Sequence, residues 1–234
     1  MIWLVVAAIF LASYLLGSIP SGLLISKSRG IDIREHGSKN IGATNVWRVM
    51  GKRYGIFAFV CDTAKGWLAV TLGVWIARHF STTEHLLHGK TALHFLPPDF
   101  AGITAALGCI LGHNFPVWLR FKGGKGVATS LGVIIGMMPL AALIDFVIWG
   151  AVFKVSRYVS LASLVAAACL PVVVIGLLFL GGIEGWANFY FAVAAAALVI
   201  KRHTPNIQRL RTGTELRFGD PKPAPPSSPT HGPN

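Results

Sequence analysis

The sequence predicts an all-α integral membrane protein with seven transmembrane helical elements. Its 234 residues are 53% hydrophobic and only 13% charged, whereas soluble domains average about 25% charged residues. Long apolar stretches recur along the chain, and a helix needs roughly 20 apolar residues to cross about 30 Å of hydrocarbon. Most Lys and Arg residues fall between these stretches, as they do in the loops of membrane proteins.

Six apolar segments follow one another along the chain. The first, Ile2–Ser26, carries no charge. It has no basic amino-terminal region and no small-residue cleavage pattern, so we expect a helix and not a removed signal peptide. The others are Tyr54–Ala77, Ala101–Leu119, Val127–Phe153, Tyr158–Leu180 and the slightly short Trp186–Ile200.

Val127–Phe153 could form one long helix or two short ones, and the positions of Lys and Arg decide between them. Four segments, 27–53, 120–125, 154–157 and 201–222, hold 18 of the 21 such residues. All four share one side only if the chain turns back near Pro139. Because Lys and Arg collect in cytoplasmic loops, we predict a hairpin of two helices of about 13 residues each. The N-terminus is then outside and the C-terminus inside.

Residues 1–218 are predicted to form a single polytopic membrane domain. The last stretch, "GDPKPAPPSSPTHGPN" (219–234), is rich in proline and poor in apolar residues, which is typical of a disordered tail. Cys61, Cys109 and Cys169 lie in three different apolar segments without metal-ligand or disulfide spacing. We expect them to be small buried apolar side chains, and we expect no metal site.

The net charge of +12 is not interpreted as a sign of nucleic-acid binding. The cations are spread over several loops next to apolar helices, and membrane topology and anionic lipid headgroups account for part of the excess. One stretch, "RFKGGKGVATS" (120–130), has features that membrane topology and lipid headgroups do not account for. Its glycines allow close backbone approach, and it leads into a helix predicted to begin near Val127. A helix N-terminus with free amides favours phosphate.

This glycine-rich turn differs from a nucleotide P-loop, because Gly126 and not Ser or Thr follows Lys125. Taken alone, it fits a phosphate site and a basic flexible turn equally well. Two further polar segments favour phosphate. Gly17–Gly55, expected to be a loop, mixes small donors with seven cations, and Arg can hold a phosphate in a bidentate fork. The segment after the last helix places His203 and Asn206 three residues apart.

Five stretches in order carry a resemblance to a known family. They are "GSKNIGATN" (37–45), "DTAKG" (62–66), "GHNFPVWLRFKGGKGVAT" (112–129), "RYVSLAS" (157–163) and the tail with His203, Asn206 and Glu215. Together they resemble the acyl-phosphate-dependent glycerol-3-phosphate acyltransferases of bacterial inner membranes, the PlsY family. The resemblance covers about residues 1–218. Pro205, between His203 and Asn206, departs from the family pattern, and so does the proline-rich tail.

The resemblance implies a seven-helix enzyme of the bacterial inner membrane whose active site faces the cytoplasm. Such enzymes transfer a fatty acyl group from acyl phosphate to the sn-1 hydroxyl of glycerol 3-phosphate, giving lysophosphatidic acid and phosphate in the first acylation of phospholipid biosynthesis. They need no metal, cofactor or coenzyme A. The implied partners are the two substrates and membrane lipids, with no nucleic acid, and we expect a monomer.

By matching position, the resemblance also implies the site residues. The residues implied in catalysis are His203, Asn206 and Ser38, and those implied in phosphate binding are Arg48, Lys125, Gly123, Gly124, Gly126 and Ser163. Two candidates for the catalytic base remain open. His203 can change its charge near neutral pH and could deprotonate the glycerol hydroxyl. The alternative base is a phosphoryl oxygen of the acyl phosphate.

Other polar residues support competing interpretations. His94 and Asp99 have the spacing of a His/Asp acyltransferase pair, but they lie in the outer loop with two prolines between them. The irregularly spaced His79, His85 and His88 of that loop favour a solvated loop over a metal site. Asp62 and Lys65, three residues apart, are close enough on a helix to pair, whereas Asp145 has no assigned role.

A carrier for a phosphorylated organic anion is the alternative function, because broken helices are typical of carriers. Against it, the cationic loops cluster on one side, and the chain shows no internal repeat.

Overall fold

The structure, a computed structural model, describes residues 2–88 and 96–219, with the main chain alone for 80–88. All regular secondary structure in these ranges is helical, which confirms the predicted all-α class. The helices are α1 (Ile2–Gly17), α2 (Ser21–Lys27), α3 (Ala43–Met50), α4 (Lys52–His88), α5 (Pro98–Asn114), α6 (Val127–Met137), α7 (Pro139–Ser156), α8 (Val159–Phe179), α9 (Ala187–Arg202) and α10 (Thr204–Arg211).

Five stretches are long and apolar enough to cross a membrane. They are Ile2–Lys27, which joins α1 and α2 across a break at Pro20, together with Lys52–His79, Pro98–Leu119, Pro139–Ser156 and Val159–Phe179. Helices α6 and α9 are shorter, with 11 and 16 residues. The count of seven spans and the orientation of the chain stay predictions.

The segment Val127–Phe153 is interrupted where its sequence predicts. Helix α6 ends at Met137 and α7 begins at Pro139, with Met138 between them at φ −142° and ψ 69°. Proline is well suited to the first position of a helix, because it has no N–H to leave unpaired and its ring fixes φ near the helical value. The expected lengths of about 13 residues each are wrong, since the helices have 11 and 18 residues.

The basic segment Gly17–Gly55 is more ordered than the loop we expected, because it contains α2 and α3. One buried amide holds it together. Asn45, on α3, donates through Nδ2 to the carbonyl oxygens of Ile33, His36 and Asn40 at 3.1, 3.0 and 2.9 Å. Its Oδ1 accepts the N–H of Ser38 at 2.8 Å. Residues 33–40 are therefore fixed against α3, which places Ser38.

Small residues allow the helices to approach closely. A Cβ atom at Gly132 of α6 would overlap the carbonyl oxygen of Thr63 on α4, and one at Gly66 of α4 would overlap that of Thr129 on α6. Helices α1 and α5 pack in the same way. In lipid, helices associate mainly through such close van der Waals packing, since the lipid tails are as apolar as leucine. The α4–α6 contact fixes the start of α6 and the turn before it.

Candidate active site

A cavity of about 420 Å³ lies among α3, α6, α7, α8 and α9. This volume is within the range of about 300–1,000 Å³ found for small-molecule sites. Of the residues that the sequence predicts for the site, the cavity is lined by Ser38, Arg48, Lys125, Gly126, Ser163, His203 and Asn206. Gly123 and Gly124 are absent from its lining.

The cavity has a polar end and an apolar end. Most polar lining residues lie near the helix ends that carry the basic segments, whereas Asp145 lies deeper, within α7. Ile134, on α6, lines the cavity about 10 Å deeper than Val127, and Leu170, on α8, about 16 Å deeper than Val159, at 1.5 Å per residue. The space can therefore hold a charged group and a hydrocarbon chain of one molecule.

His203 lies at the junction of α9 and α10 and is only 2% exposed. Its Nδ1 is 2.8 Å from the carbonyl oxygen of Val199. A carbonyl can only accept, so Nδ1 carries the proton and Nε2 of the neutral ring carries a lone pair. Burial, together with the nearby positive charge of Lys125, lowers the pKa of His203 to about 4. The ring is neutral at physiological pH and available as a base.

Asn206 lines the cavity one turn after His203, and its carboxamide orientation is fixed by Glu215. Nδ2 of Asn206 donates to Oε1 of Glu215 at 2.7 Å. The Oδ1 atom of Asn206 is buried without a hydrogen-bond partner among the described residues. Buried polar atoms nearly always have a partner, so this oxygen is free to accept a hydrogen bond from a ligand hydroxyl.

Glu215 connects three parts of the site. Besides Asn206, its Oε1 accepts the hydroxyl of Ser160 at 2.7 Å, and its Oε2 accepts Nε of Arg209 at 2.7 Å. Burial alone would raise the pKa of Glu215, but these hydrogen bonds outweigh it and the pKa is lowered. The charged carboxylate therefore holds the start of α8, helix α10 and the segment after α10 together.

Pro205, the departure from the family pattern, is accommodated without distortion. It lies in the first turn of α10, where a missing N–H costs nothing. The N–H groups of Asn206 and Ile207 both donate to the carbonyl oxygen of His203, at 2.8 and 2.9 Å. The turn that separates His203 from Asn206 is thus an ordinary helix start.

The glycine-rich turn presents backbone donors next to Lys125. Within the ranges that the structure describes, no backbone carbonyl accepts the N–H of Lys125, Gly126 or Val127. Gly126 has a φ of +79°, a left-handed conformation that favours glycine, and α6 begins directly after it. Burial lowers the pKa of Lys125 to about 8. A cation and free amides at a helix N-terminus form an anion site.

Gly123 and Gly124, which the resemblance implies in phosphate binding, pack against α5. The N–H of Gly124 donates to the carbonyl oxygen of His113 at 3.1 Å, and a Cβ atom at Gly124 would overlap Nε2 of His113. A Cβ atom at Gly123 would overlap the same carbonyl oxygen. The two glycines therefore pack the turn against α5 and do not face the cavity.

Arg48 is held by the end of the described chain. Its Nη2 donates to the carbonyl oxygen of Leu216 at 3.1 Å, while Nε is buried without a partner among the residues described. The N–H of Phe218 donates to the carbonyl oxygen of Arg157 at 2.8 Å. The segment after α10 therefore crosses over α3 and the α7–α8 junction and closes the polar end.

Aromatic rings line one wall of the cavity. The centroid distances are 6.2 Å from Phe146 to Trp149, 5.0 Å from Trp149 to Phe153, 5.5 Å from Phe153 to Phe218 and 5.1 Å from Phe218 to Trp47. All five residues line the cavity. This aromatic wall leads from the apolar end to the polar end.

Ser163 lies where the wall meets α8. Its hydroxyl donates to the carbonyl oxygen of Val159 at 2.8 Å and accepts Nε1 of Trp149 at 3.2 Å. The hydroxyl proton of Ser163 is therefore used within the protein, and the hydroxyl oxygen orients Trp149.

The predicted pairing of Asp62 and Lys65 is confirmed. Lys65 Nζ lies 2.8 Å from Asp62 Oδ1, and the two side chains are 5% and 2% exposed. The ammonium also donates to the carbonyl oxygen of Ile19 at 2.8 Å and to Nδ1 of His113 at 3.0 Å. Among the residues that the structure describes, none donates a hydrogen bond of good geometry to Oδ1 of Asp62, so its contact with Lys65 is an ion pair. The pair braces α4 against α5 beneath the glycine-rich turn.

Asp145 and Asp99 lie apart from the polar end of the cavity. Asp145 lines the apolar part of the cavity, and its Oδ1 is buried without a partner in the described structure. Asp99 lies in the first turn of α5, at the opposite end from His113. His94 falls outside the described residues, as do the side chains of His85 and His88.

Two contributors were not predicted from the sequence as site residues. Ser160 orients Glu215, and Arg202 binds the carbonyl oxygens of Gly123 and Gly124. Both partners lie far away in the sequence. The one signal for Arg202 is its position next to His203.

Comparison with known proteins identifies the family. Residues 7–213 match the family model "Glycerol-3-phosphate acyltransferase". A protein of that name from Desulforudis audaxviator is 44% identical over 207 residues, which are 88% of this chain and 92% of the relative.

Two crystal structures are also similar, both of PlsY, described as an integral membrane glycerol 3-phosphate acyltransferase. The glycerol 3-phosphate form has a TM-score of 0.74 at 38% identity and covers 92% of this chain and 96% of its own. The lysophosphatidic acid form has a TM-score of 0.72 at the same identity and covers 92% and 95%. With the family model matching most of the sequence, this chain belongs to the glycerol-3-phosphate acyltransferase family.

Proposed function

We propose that the protein transfers a fatty acyl group from acyl phosphate to the sn-1 hydroxyl of glycerol 3-phosphate, giving lysophosphatidic acid and inorganic phosphate. The observation that carries this proposal is the placement of His203, Arg48 and Lys125 around one cavity that continues into an apolar space. The related structures that bind glycerol 3-phosphate and lysophosphatidic acid support it. This is the first acylation of phospholipid biosynthesis.

The phosphate of glycerol 3-phosphate is proposed to bind at the start of α6. Lys125, Arg48 and the free N–H groups from Lys125 to Val127 supply positive charge and donors there. Gly123 and Gly124 shape this turn from behind, and Ser38 adds a hydroxyl at the cavity wall. Two phosphate-bearing substrates repel each other, and the cations offset that repulsion.

The acyl chain is proposed to lie along the aromatic wall toward Ile134 and Leu170. The product then has its phosphate at the polar end and its chain in the apolar end, which is the division of polarity that the cavity shows. Ser163 contributes by holding Trp149.

In the proposed reaction the sn-1 oxygen of glycerol 3-phosphate attacks the acyl carbonyl carbon. The new C–O ester bond forms as the bond between that carbon and the phosphate oxygen breaks, and inorganic phosphate leaves with the electron pair. The hydroxyl proton passes to Nε2 of His203, while Oδ1 of Asn206 accepts a hydrogen bond from glycerol. A phosphoryl oxygen of the donor is the alternative base. Acyl phosphate is already activated, so positioning and charge stabilisation supply most of the rate.

We place this site on the cytoplasmic face of the bacterial inner membrane, in a chain that acts as a monomer. The clustering of Lys and Arg supports that side. The polar cavity lies beside these basic segments, so glycerol 3-phosphate would reach it from the cytosol.

A donor comparison tests the proposal. The purified protein in lipid nanodiscs is given labelled glycerol 3-phosphate with palmitoyl phosphate or with palmitoyl-CoA, and the product is identified by NMR. We expect 1-acyl lysophosphatidic acid from palmitoyl phosphate alone, and a rate at least about 100-fold lower for Lys125→Ala. Equal use of palmitoyl-CoA contradicts the proposed donor. Label that accumulates inside liposomes without any lipid product indicates a carrier.

A further inference from the structure

Arg202, the residue immediately before His203, grips the glycine-rich turn. Its Nε donates to the carbonyl oxygen of Gly124 at 3.0 Å, and its Nη2 donates to those of Gly123 and Gly124 at 2.9 and 2.7 Å. The guanidinium carbon also lies 5.1 Å from the ring centroid of Phe115. Hydrogen bonds from a charged donor are about twice as strong as neutral ones, so this contact fixes both partners.

These hydrogen bonds determine which way the N–H groups of the turn point. In a planar trans peptide the C=O and the following N–H point in opposite directions. The peptide between Gly123 and Gly124 is held on both sides, by Arg202 at its oxygen and by the His113 carbonyl at its N–H. In the next peptide the oxygen of Gly124 faces Arg202, so the N–H of Lys125 faces away from it.

We propose that Arg202 is a positioning residue that orients the glycine-rich turn toward phosphate and sets its distance from His203. This inference rests on the proposed function. Arg202 does not line the cavity, so it acts through the turn and not as a phosphate ligand. Arg202 and His203 are neighbours in the chain. The same short stretch of backbone therefore holds both the residue that orients the turn and the proposed base.

Arginine suits this role better than lysine. Its planar guanidinium presents donors in a fixed fork that matches two adjacent carbonyl oxygens, whereas the lysine ammonium is a flexible point charge. Glycine adopts a wide range of backbone angles. Without the hydrogen bonds from Arg202, the peptides on either side of Gly124 would rotate, and the N–H of Lys125 would no longer be held in place.

The test uses the full chain in nanodiscs with two readouts. One is the hydrogen exchange of the Gly124 amide, whose N–H donates to the carbonyl oxygen of His113, and the other is kcat and KM for glycerol 3-phosphate with palmitoyl phosphate. For Arg202→Ala we expect amide exchange about tenfold faster and kcat/KM about 100-fold lower. Added guanidinium should restore at least about fivefold of the lost rate in this variant, because it can refill the space between the two carbonyls.

Three further variants complete the design. Arg202→Lys and Arg202→Gln, which keep polarity and length, should recover little activity and should also show faster exchange. They keep the test decisive if Arg202→Ala does not fold. Lys201→Ala is the matched control, since it removes a neighbouring exposed cation from the same helix end. Its exchange and kinetics should stay within about twofold of the original.

Two results would overturn the inference. One is a loss of activity in Arg202→Ala with unchanged exchange in the turn, and the other is full activity in Arg202→Lys. Failure of the proposed function is a separate result. If the unmodified protein forms no lysophosphatidic acid, the exchange measurement still shows whether Arg202 holds the turn.

Discussion

Nδ1 of His203 and the carbonyl oxygen of Val199, one helical turn earlier, lie 2.8 Å apart. This contact commits the imidazole proton to Nδ1. Nε2 is then the one ring nitrogen of His203 that can take a proton from a substrate. The same hydrogen bond holds the ring at the end of α9, so the imidazole is oriented before any ligand binds.

Replacing His203 by Gln should mainly reduce kcat. Loss of a general base typically costs about 10²–10⁴ in rate, and KM for glycerol 3-phosphate should change by less than about threefold. Steady-state kinetics with both substrates varied measure this. Near-normal kcat with a raised KM would show that His203 only holds substrate and that a phosphoryl oxygen of the donor is the base.

The pH dependence should have an upper limit set by Lys125. Burial lowers its pKa to about 8, so the side chain is charged below that pH and neutral above it. We therefore expect kcat/KM for glycerol 3-phosphate to fall as the pH rises through about 8. Lys125→Arg keeps its charge and should extend the active range to about pH 10. An identical upper limit in both proteins would remove Lys125 as its cause.

The lowered pKa of His203 predicts no loss of enzymatic activity at neutral pH. Since this pKa is about 4, protonation of the ring should not reduce activity until the pH approaches that value. A decline near pH 6 should instead follow the second ionisation of the substrate phosphate, and it should persist in His203→Gln.

Glu215 should contribute to both stability and activity. Its carboxylate is 5% exposed and accepts hydrogen bonds from Ser160, Asn206 and Arg209. Removing one partner from such a buried network costs about 3–5 kcal/mol, although the 39% exposure of Arg209 places Glu215→Ala at the lower end. Thermal unfolding in detergent measures the loss. Glu215→Gln should lose less, because an amide oxygen can still accept.

The contribution of Glu215 should also depend on pH. Its pKa is lowered in the folded state, so the stabilisation is present above the ordinary Glu value of about 4.3 and is lost as the pH falls through the lower folded value. The stability difference between the original protein and Glu215→Gln should therefore shrink in acid. A constant difference would contradict a charged Glu215.

Close packing of α4 on α6 can be tested with a matched pair of glycines. Gly132→Ala would place a methyl group against the carbonyl oxygen of Thr63, whereas Gly150→Ala, in helix α7, meets no atom within 4 Å. We expect Gly132→Ala to destabilise by about 1–3 kcal/mol and Gly150→Ala to be neutral or to stabilise by up to about 1 kcal/mol. Equal unfolding temperatures would show that α4 and α6 do not need this approach.

Features written locally in the sequence were predictable. Pro139 marks the break between α6 and α7, and the spacing of Asp62 and Lys65 predicts their pairing. Helix α3 was not predictable in this way, because it has 8 residues and isolated helices shorter than about 12–15 residues are marginal. It depends instead on Asn45 and its partners in residues 33–40.

The candidate site also contains both predictable and unpredictable features. The resemblance supplied His203, Asn206 and Lys125 by position, and the structure brings them to one cavity. The resemblance could not predict the hydrogen bond between Arg202 and Gly124, because these residues are 78 positions apart in the sequence. A contact over that separation leaves no periodic or compositional pattern, so only the fold reveals it.

The contact of Trp47 with Phe218, and of Arg48 with the carbonyl oxygen of Leu216, closes the polar end of the cavity with residues from α3 and from the end of the described chain. Because Arg48 and Leu216 are 168 residues apart, a polypeptide under synthesis can form this closure only after residue 218 has left the ribosome. A partly synthesised chain would therefore leave the polar end of this cavity open.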